Sequence, residues 1–213
     1  MNAIEFEKPP VILGHSFGSI VVSAALARTG LSTDTLILVN PIAAPALSGP
    51  RGILTRLAVL YYQLGALLPE RLGFALLRNR IIVRVMSETM AKTRSKSLRK
   101  WIHSEHDRYF SAFSDRAVVL EAFKASVSND VSEFAASIDA RTLLIAADRD
   151  DITPVSAQHT LAELFPDAAL EVIPDVGHLI HYEVPARAAA LIEEFLAPEA
   201  RDEPRSDADE VAR

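Results

Sequence analysis

Five residues near the start of the chain, Gly14-His15-Ser16-Phe17-Gly18, set a serine between two glycines in the pattern glycine-x-serine-x-glycine. That spacing suits nucleophilic catalysis. A serine hydroxyl is a weak nucleophile, so it must be held proud on a tight turn, and flanking glycines remove the Cβ atoms that would crowd the turn and the neighbouring backbone. Ser16 is therefore a candidate nucleophile. It needs a general base, and the base needs an acid that sets its tautomer and stabilises the imidazolium that forms. Both residue types follow downstream: Asp148, Asp150 and Asp151 in one segment, and His178 in another, with His181 three positions further on.

The elements that must carry these residues are legible from apolar runs. Residues 11–13 form a short apolar run ending at Gly14, and 19–28 continue as a small, apolar, helix-length stretch, which predicts strand, sharp turn, helix. Three further runs without alternation, 35–39, 142–146 and 170–173, read as strands buried on both faces, and 155–164 and 185–196 read as helices between or after them. This predicts an α/β fold, a mostly parallel sheet flanked by helices. The aspartate group and His178 each lie just past a strand's end. In a parallel sheet those ends share one edge, where open α/β sheets hold their ligands, so Ser16, one of the aspartates and His178 can meet there.

Between the second and third strands, leucines, arginines and alanines recur at helical spacing with no credible strand. The expectation is an all-helical cap inserted over 43–138, with helices at 52–68, 71–86, 95–109 and 115–126. The core is then 1–42 together with 139–197. Residues 198–213 carry six acids and three arginines with almost no apolar side chains, so a disordered acidic tail is expected.

The elbow GHSFG, the segment LLIAADRDDITP and the segment GHLIHYEVP, in the chain order Ser, Asp, His, resemble the α/β-hydrolase superfamily. In that family the acid closes a G-x-x-D motif after a strand. Ala147-Asp148-Arg149-Asp150 fits it with Ala for Gly, so the resemblance selects Asp150. The family's base follows a glycine, which maps onto Gly177-His178 and leaves His181 to packing or polar support. The resemblance further implies a hydrolase working through an acyl-enzyme, with no cofactor and no metal, on a small ester-like substrate with an apolar acyl part. The backbone N–H of Phe17 becomes an oxyanion donor, His15 and Asn40 become pocket-lining candidates, and the helical insertion becomes the lid that shapes the pocket.

The chain departs from the family in one respect. Members place several strands and a second oxyanion-donating loop before the elbow, whereas Ser16 stands near the start here. This predicts an N-terminally truncated form whose first strand is an exposed sheet edge, a site for pairing with another copy. The alternative function is then a weak or silent module that binds lipid or protein partners.

Composition narrows the remaining choices. The chain has 213 residues, 49% hydrophobic and 23% charged, and no cysteine, which excludes thiol catalysis, disulfide frameworks and cysteine-based metal sites. No secretory signal is apparent at the N-terminus and the apolar run 57–68 is too short to span a bilayer, so a cytoplasmic location is expected. The net charge of −6 is segregated: Arg51 to Arg108 holds twelve basic against four acidic residues. A solvated basic face with leucines turned inward is preferred over a membrane-surface role, and no nucleic-acid motif is evident. His103, His106 and Asp107 have metal-ligand spacing on one helix, but without a third matching ligand they read as polar helix surface.

Overall fold

A computed structural model describes residues 7–44 and 52–197. Strand β1 (Ile12–His15) leads through a one-residue turn into α1 (Phe17–Arg28), and β2 (Thr35–Val39) follows. After the helices α2 (Gly52–Leu67), α3 (Glu70–Leu77), α4 (Arg80–Met90), α5 (Lys96–Glu105), α6 (Arg116–Ser128) and α7 (Ser132–Ala135), the chain returns to the sheet. It then runs through β3 (Arg141–Ala147), α8 (Val155–Ala162), β4 (Ala168–Ile173), α9 (Ile180–Glu183) and α10 (Pro185–Leu196).

The four strands lie parallel in the order β1-β2-β3-β4, with Leu13 opposite Ile37, Leu38 opposite Leu144 and Ile145 opposite Glu171. Because side chains alternate across a strand, the continuous runs of β2 and β3 feed two cores at once. Leu36, Leu38 and Leu144 pack with Ile20 of α1, Phe134 and Ala135 of α7 and Leu161 of α8. Ile37, Val39, Leu143 and Ile145 pack on the opposite face with Ala188, Leu191 and Phe195 of α10. This is the α/β sheet with helices on both faces that the apolar runs imply. Among the described residues β1 is paired on one side only, and its Leu13 is half exposed.

Between β2 and β3 the described residues form helices and no strand. Two expected boundaries need correction. The single helix over 71–86 is two, because Asn79 sits in an extended conformation and its side chain accepts from the N–H groups of Ile81 and Ile82, ending one helix and capping the next. The helix over 95–109 is α5 to Glu105, continued by a π-helical turn at His106–Phe110. Asp115 caps α6 in the manner of Asn79, accepting from Ala117 and Val118. The expected tail, 198–213, and residues 45–51 of the insertion lie outside the described residues.

Leucines of the insertion do not all turn inward as expected. Leu57, Leu60, Leu64 and Leu67 of α2 are between 46% and 83% exposed and fall along one stripe of the helix. Among the described residues no helix is long and apolar enough to cross a membrane.

The insertion also touches the core. Ala91 and Ile102 bury against Leu179, beside Met90, Leu98 and Tyr182. Glu183 reinforces this contact by accepting from the backbone N–H groups of Lys92 and Thr93 through Oε1, at 2.5 and 3.0 Å, and from Gly177 through Oε2 at 3.4 Å. Gly177 allows a close approach here, since a Cβ would stand 2.5 Å from Lys92 Cγ and 3.0 Å from the Met90 carbonyl.

Candidate active site

Ser16 occupies the single residue between β1 and α1, at φ 51° and ψ −122°. Such a backbone is strained by roughly 1–3 kcal/mol for a non-glycine residue and persists only where its surroundings hold it. The holding groups are visible. Ser16 N–H donates to the Val39 carbonyl at 3.0 Å, and the Ser16 carbonyl accepts from the Ser19 amide at 2.9 Å and from Ser19 Oγ at 2.6 Å. Ser19 Oγ in turn accepts from Ile42 N–H, so a fully buried hydroxyl ties the turn to the end of β2.

The two glycines of the motif do different things. A Cβ on Gly14 would stand 2.8 Å from both the Gly18 carbonyl and Ser19 Cα, so α1 can close on β1 only over a glycine. A Cβ on Gly18 meets nothing within 4 Å, which corrects the expectation that both relieve crowding.

His178 and Asp150 arrive at the same edge. His178 Nε2 lies 2.8 Å from Ser16 Oγ and its Nδ1 lies 2.6 Å from Asp150 Oδ2. With Nδ1 protonated and donating to the carboxylate, Nε2 is left as the acceptor of the Ser16 hydroxyl proton. His178 and Asp150 are about 5% and 6% exposed, whereas Ser16 is half-buried.

Asp150 is held more tightly than its neighbours Asp148 and Asp151. Its Oδ1 accepts from the N–H groups of Ile152 and Thr153, and its Oδ2 accepts from Thr153 Oγ1 at 2.5 Å as well as from His178. Burial raises its pKa, but the hydrogen bonds and charge of His178, followed by the Thr153 and Ile152 bonds, outweigh that and hold it below the ordinary 3.8. Asp148 instead accepts from Val176 N–H, and Asp151 pairs with Lys92. Thr153 escaped the sequence reading. An aspartate that accepts from the amides two and three residues ahead is a recurrent turn, and Asp150-Asp151-Ile152-Thr153 before Pro154 carried that signal.

The remaining candidates separate. His15 stacks near the base, with ring centroids 5.3 Å from His178 and 4.6 Å from His181. Burial first, then His178 and His181, pull its pKa from 6.5 to about 4, and burial with the same kind of neighbours lowers His181 also. In both rings burial works against the protonated form. Asn40, expected to line the pocket, is fully buried and binds backbone groups with both atoms of its amide. Phe17 opens α1, where the first amides of a helix lack intrahelical partners and the dipole favours negative charge.

His103 and His106 are buried, not surface residues. Ser87 of α4 bridges them, with its Oγ 2.5 Å from His103 Nδ1 and 2.8 Å from His106 Nδ1. His103 Nε2 lies 2.9 Å from Glu88 Oε1, near enough for an ion pair though off the line of a hydrogen bond. Asp107 pairs with Arg84 instead. Among the described residues no group of three or more potential ligands could hold a metal ion.

Similarity to known proteins agrees with this geometry at the level of fold. The chain is 25% identical over 189 residues to an alpha/beta hydrolase domain-containing protein, VTE7, of Arabidopsis thaliana, covering 89% of this chain and 54% of that protein. It thus spans about half the length of that curated relative. A thermophilic esterase from Thermogutta terrifontis superposes with a TM-score of 0.67 at 21% identity, over 89% of this chain and 65% of that one. Est816, an N-acyl homoserine lactone degrading enzyme, superposes with a TM-score of 0.64 at 23% identity, over 89% and 68%. Residues 2–191 match the model of the alpha/beta hydrolase family, and the chain belongs to that family.

Proposed function

We propose that the chain is a serine hydrolase that cleaves a carboxylic ester-like bond through an acyl-enzyme. Ser16 Oγ attacks the substrate carbonyl while His178 Nε2 takes its proton, and Asp150 orients His178 and stabilises the imidazolium. The oxyanion of the tetrahedral intermediate is bound by the Phe17 N–H at the start of α1. Collapse breaks the bond to the alcohol, which leaves with the proton from His178. Water, deprotonated by the same imidazole, then attacks the acyl-serine and releases the acid, restoring the hydroxyl. The helical insertion over 43–138 is the lid in this reading, and the substrate is a small molecule with an apolar acyl part.

The observation that carries this reading is the unbroken hydrogen-bond path from Ser16 Oγ through His178 to Asp150, at 2.8 and 2.6 Å. The test is covalent labelling by a fluorophosphonate probe. Wild type is labelled and Ser16→Ala is not, and p-nitrophenyl esters of graded chain length then rank the acyl preference. A folded wild type that takes no label overturns the reading and leaves a silent binding module.

A further inference from the structure

The side chain of Asn40 touches two of the three loops that carry the candidate machinery, and its backbone adjoins the third. It stands one residue past β2 at φ 43°, a left-handed conformation that asparagine tolerates better than most residues. That turn takes its backbone out of the sheet while β3 runs on to Ala147. The amide side chain fills the gap. Its Oδ1 accepts from Ala147 N–H at 2.9 Å, the last residue of β3 and the start of the segment leading to Asp150. Its Nδ2 donates to the backbone carbonyl of His178 at 3.0 Å. The Asn40 N–H donates to Ile145 at 2.7 Å, and the preceding residue, Val39, accepts from Ser16 N–H.

We propose that Asn40 is a positioning residue for the hydrolytic site: it clamps the carbonyl of His178 to the end of β3 and so fixes the imidazole at the distance from Ser16 that proton transfer requires. This rests on the serine-hydrolase reading above. The clamp has a second arm, since His15 Nε2 lies 3.3 Å from the same carbonyl and can donate to it in its neutral form. His178 follows Gly177 in a loop, between β4 and α9, so its main chain lacks the ladder bonds that hold a strand residue. The asparagine amide and the His15 ring supply those bonds from outside. Asn40 is itself 0% exposed, so neither of its bonds competes with water.

Two variants test the clamp. Asn40→Gly keeps the left-handed turn and removes both bonds; Asn40→Asp keeps the acceptor for Ala147 and removes the donor to His178. We expect both to fold by circular dichroism and to lower kcat on a p-nitrophenyl ester by about 10- to 100-fold, the scale of a misplaced catalytic group, with KM within about twofold. Fluorophosphonate labelling of Ser16 slows by a similar factor. If the glycine variant fails to fold, the aspartate variant decides alone. Folded variants with kcat and labelling rate within about twofold of wild type overturn the clamp while leaving the serine-hydrolase reading intact. A wild type that neither labels nor turns over ester removes that reading, and the clamp with it.

Discussion

His178 Nε2 and Ser16 Oγ are 2.8 Å apart although 162 positions separate them in the chain. The sheet makes this meeting. Ser16 follows β1 and His178 follows β4, and because all four strands are parallel their C-terminal ends share one edge. Three residues just past those ends, Ser16, Asn40 and Asp175, adopt positive φ without being glycine. Backbone strain is thus concentrated along the edge where the candidate chemistry sits, as it is at functional sites generally.

The strain at Ser16 can be measured. Ser16→Gly and Ser16→Ala both remove the hydroxyl and its bond to His178, so their difference isolates the backbone. The glycine variant is expected to be more stable than the alanine variant by about 1 kcal/mol, because only alanine is forced to φ 51° against its Cβ. Urea unfolding midpoints of the two proteins check this.

The two glycines of the motif should respond oppositely to alanine. Gly14→Ala drives a Cβ against backbone atoms 2.8 Å away and is expected to destabilise by about 2–3 kcal/mol, with loss of fluorophosphonate labelling as the turn opens. Gly18→Ala meets nothing within 4 Å inside the first turn of α1 and is expected to stabilise by about 0.5–1 kcal/mol through helix propensity. Thermal unfolding of both variants gives the sign.

Thr153→Val keeps the shape of a buried side chain but withdraws the hydroxyl bound to Asp150 Oδ2. The hydrogen bond to a charged group is worth roughly 1.5–3 kcal/mol, so stability at pH 7 should fall by about that amount. The expected sign with pH follows from the lowered pKa of Asp150. Its stabilisation is present above 3.8 and lost as pH falls below it through the folded-state value. The variant should therefore lose less stability than wild type on acidification below pH 4, read from denaturant titrations at fixed pH.

His15 has the opposite reference. Its pKa in the folded protein is about 4 against an ordinary 6.5, so the unfolded chain takes up a proton first as pH falls. The stability it permits is complete above 6.5 and is lost between 6.5 and about 4, by at most about 3 kcal/mol. His15→Gln, which can still donate to the His178 carbonyl, should flatten the stability profile across that window. An unchanged slope would show that His15 protonates in the folded state as easily as in the unfolded one.

Strands β2 and β3 were legible because they are buried on both faces, which writes a run of Leu, Ile and Val that little else produces; β4, read the same way, alternates between exposed and partly buried positions instead. The turn at Ser16 was legible for a local reason too: only glycine at Gly14 lets α1 approach β1. The helices of the insertion were less so, since their ends are set by caps such as Asn79 and their packing by partners distant in the chain. Asn40 shows the limit most sharply. The family resemblance made it a pocket-lining candidate, and only the parallel register that brings Ala147 and His178 to it reveals a buried amide bound on both sides.

By itself the amino-acid order determined the class of fold and which side chains were candidates for acyl transfer, because hydrophobic period and turn chemistry are properties of neighbours. The folded chain alone decided which groups hold Asp150 beside the imidazole, that His103 and His106 are interior, and what Asn40 holds. Those outcomes depend on distances between segments that share no sequence neighbourhood, and such distances exist only once the sheet has closed its two cores.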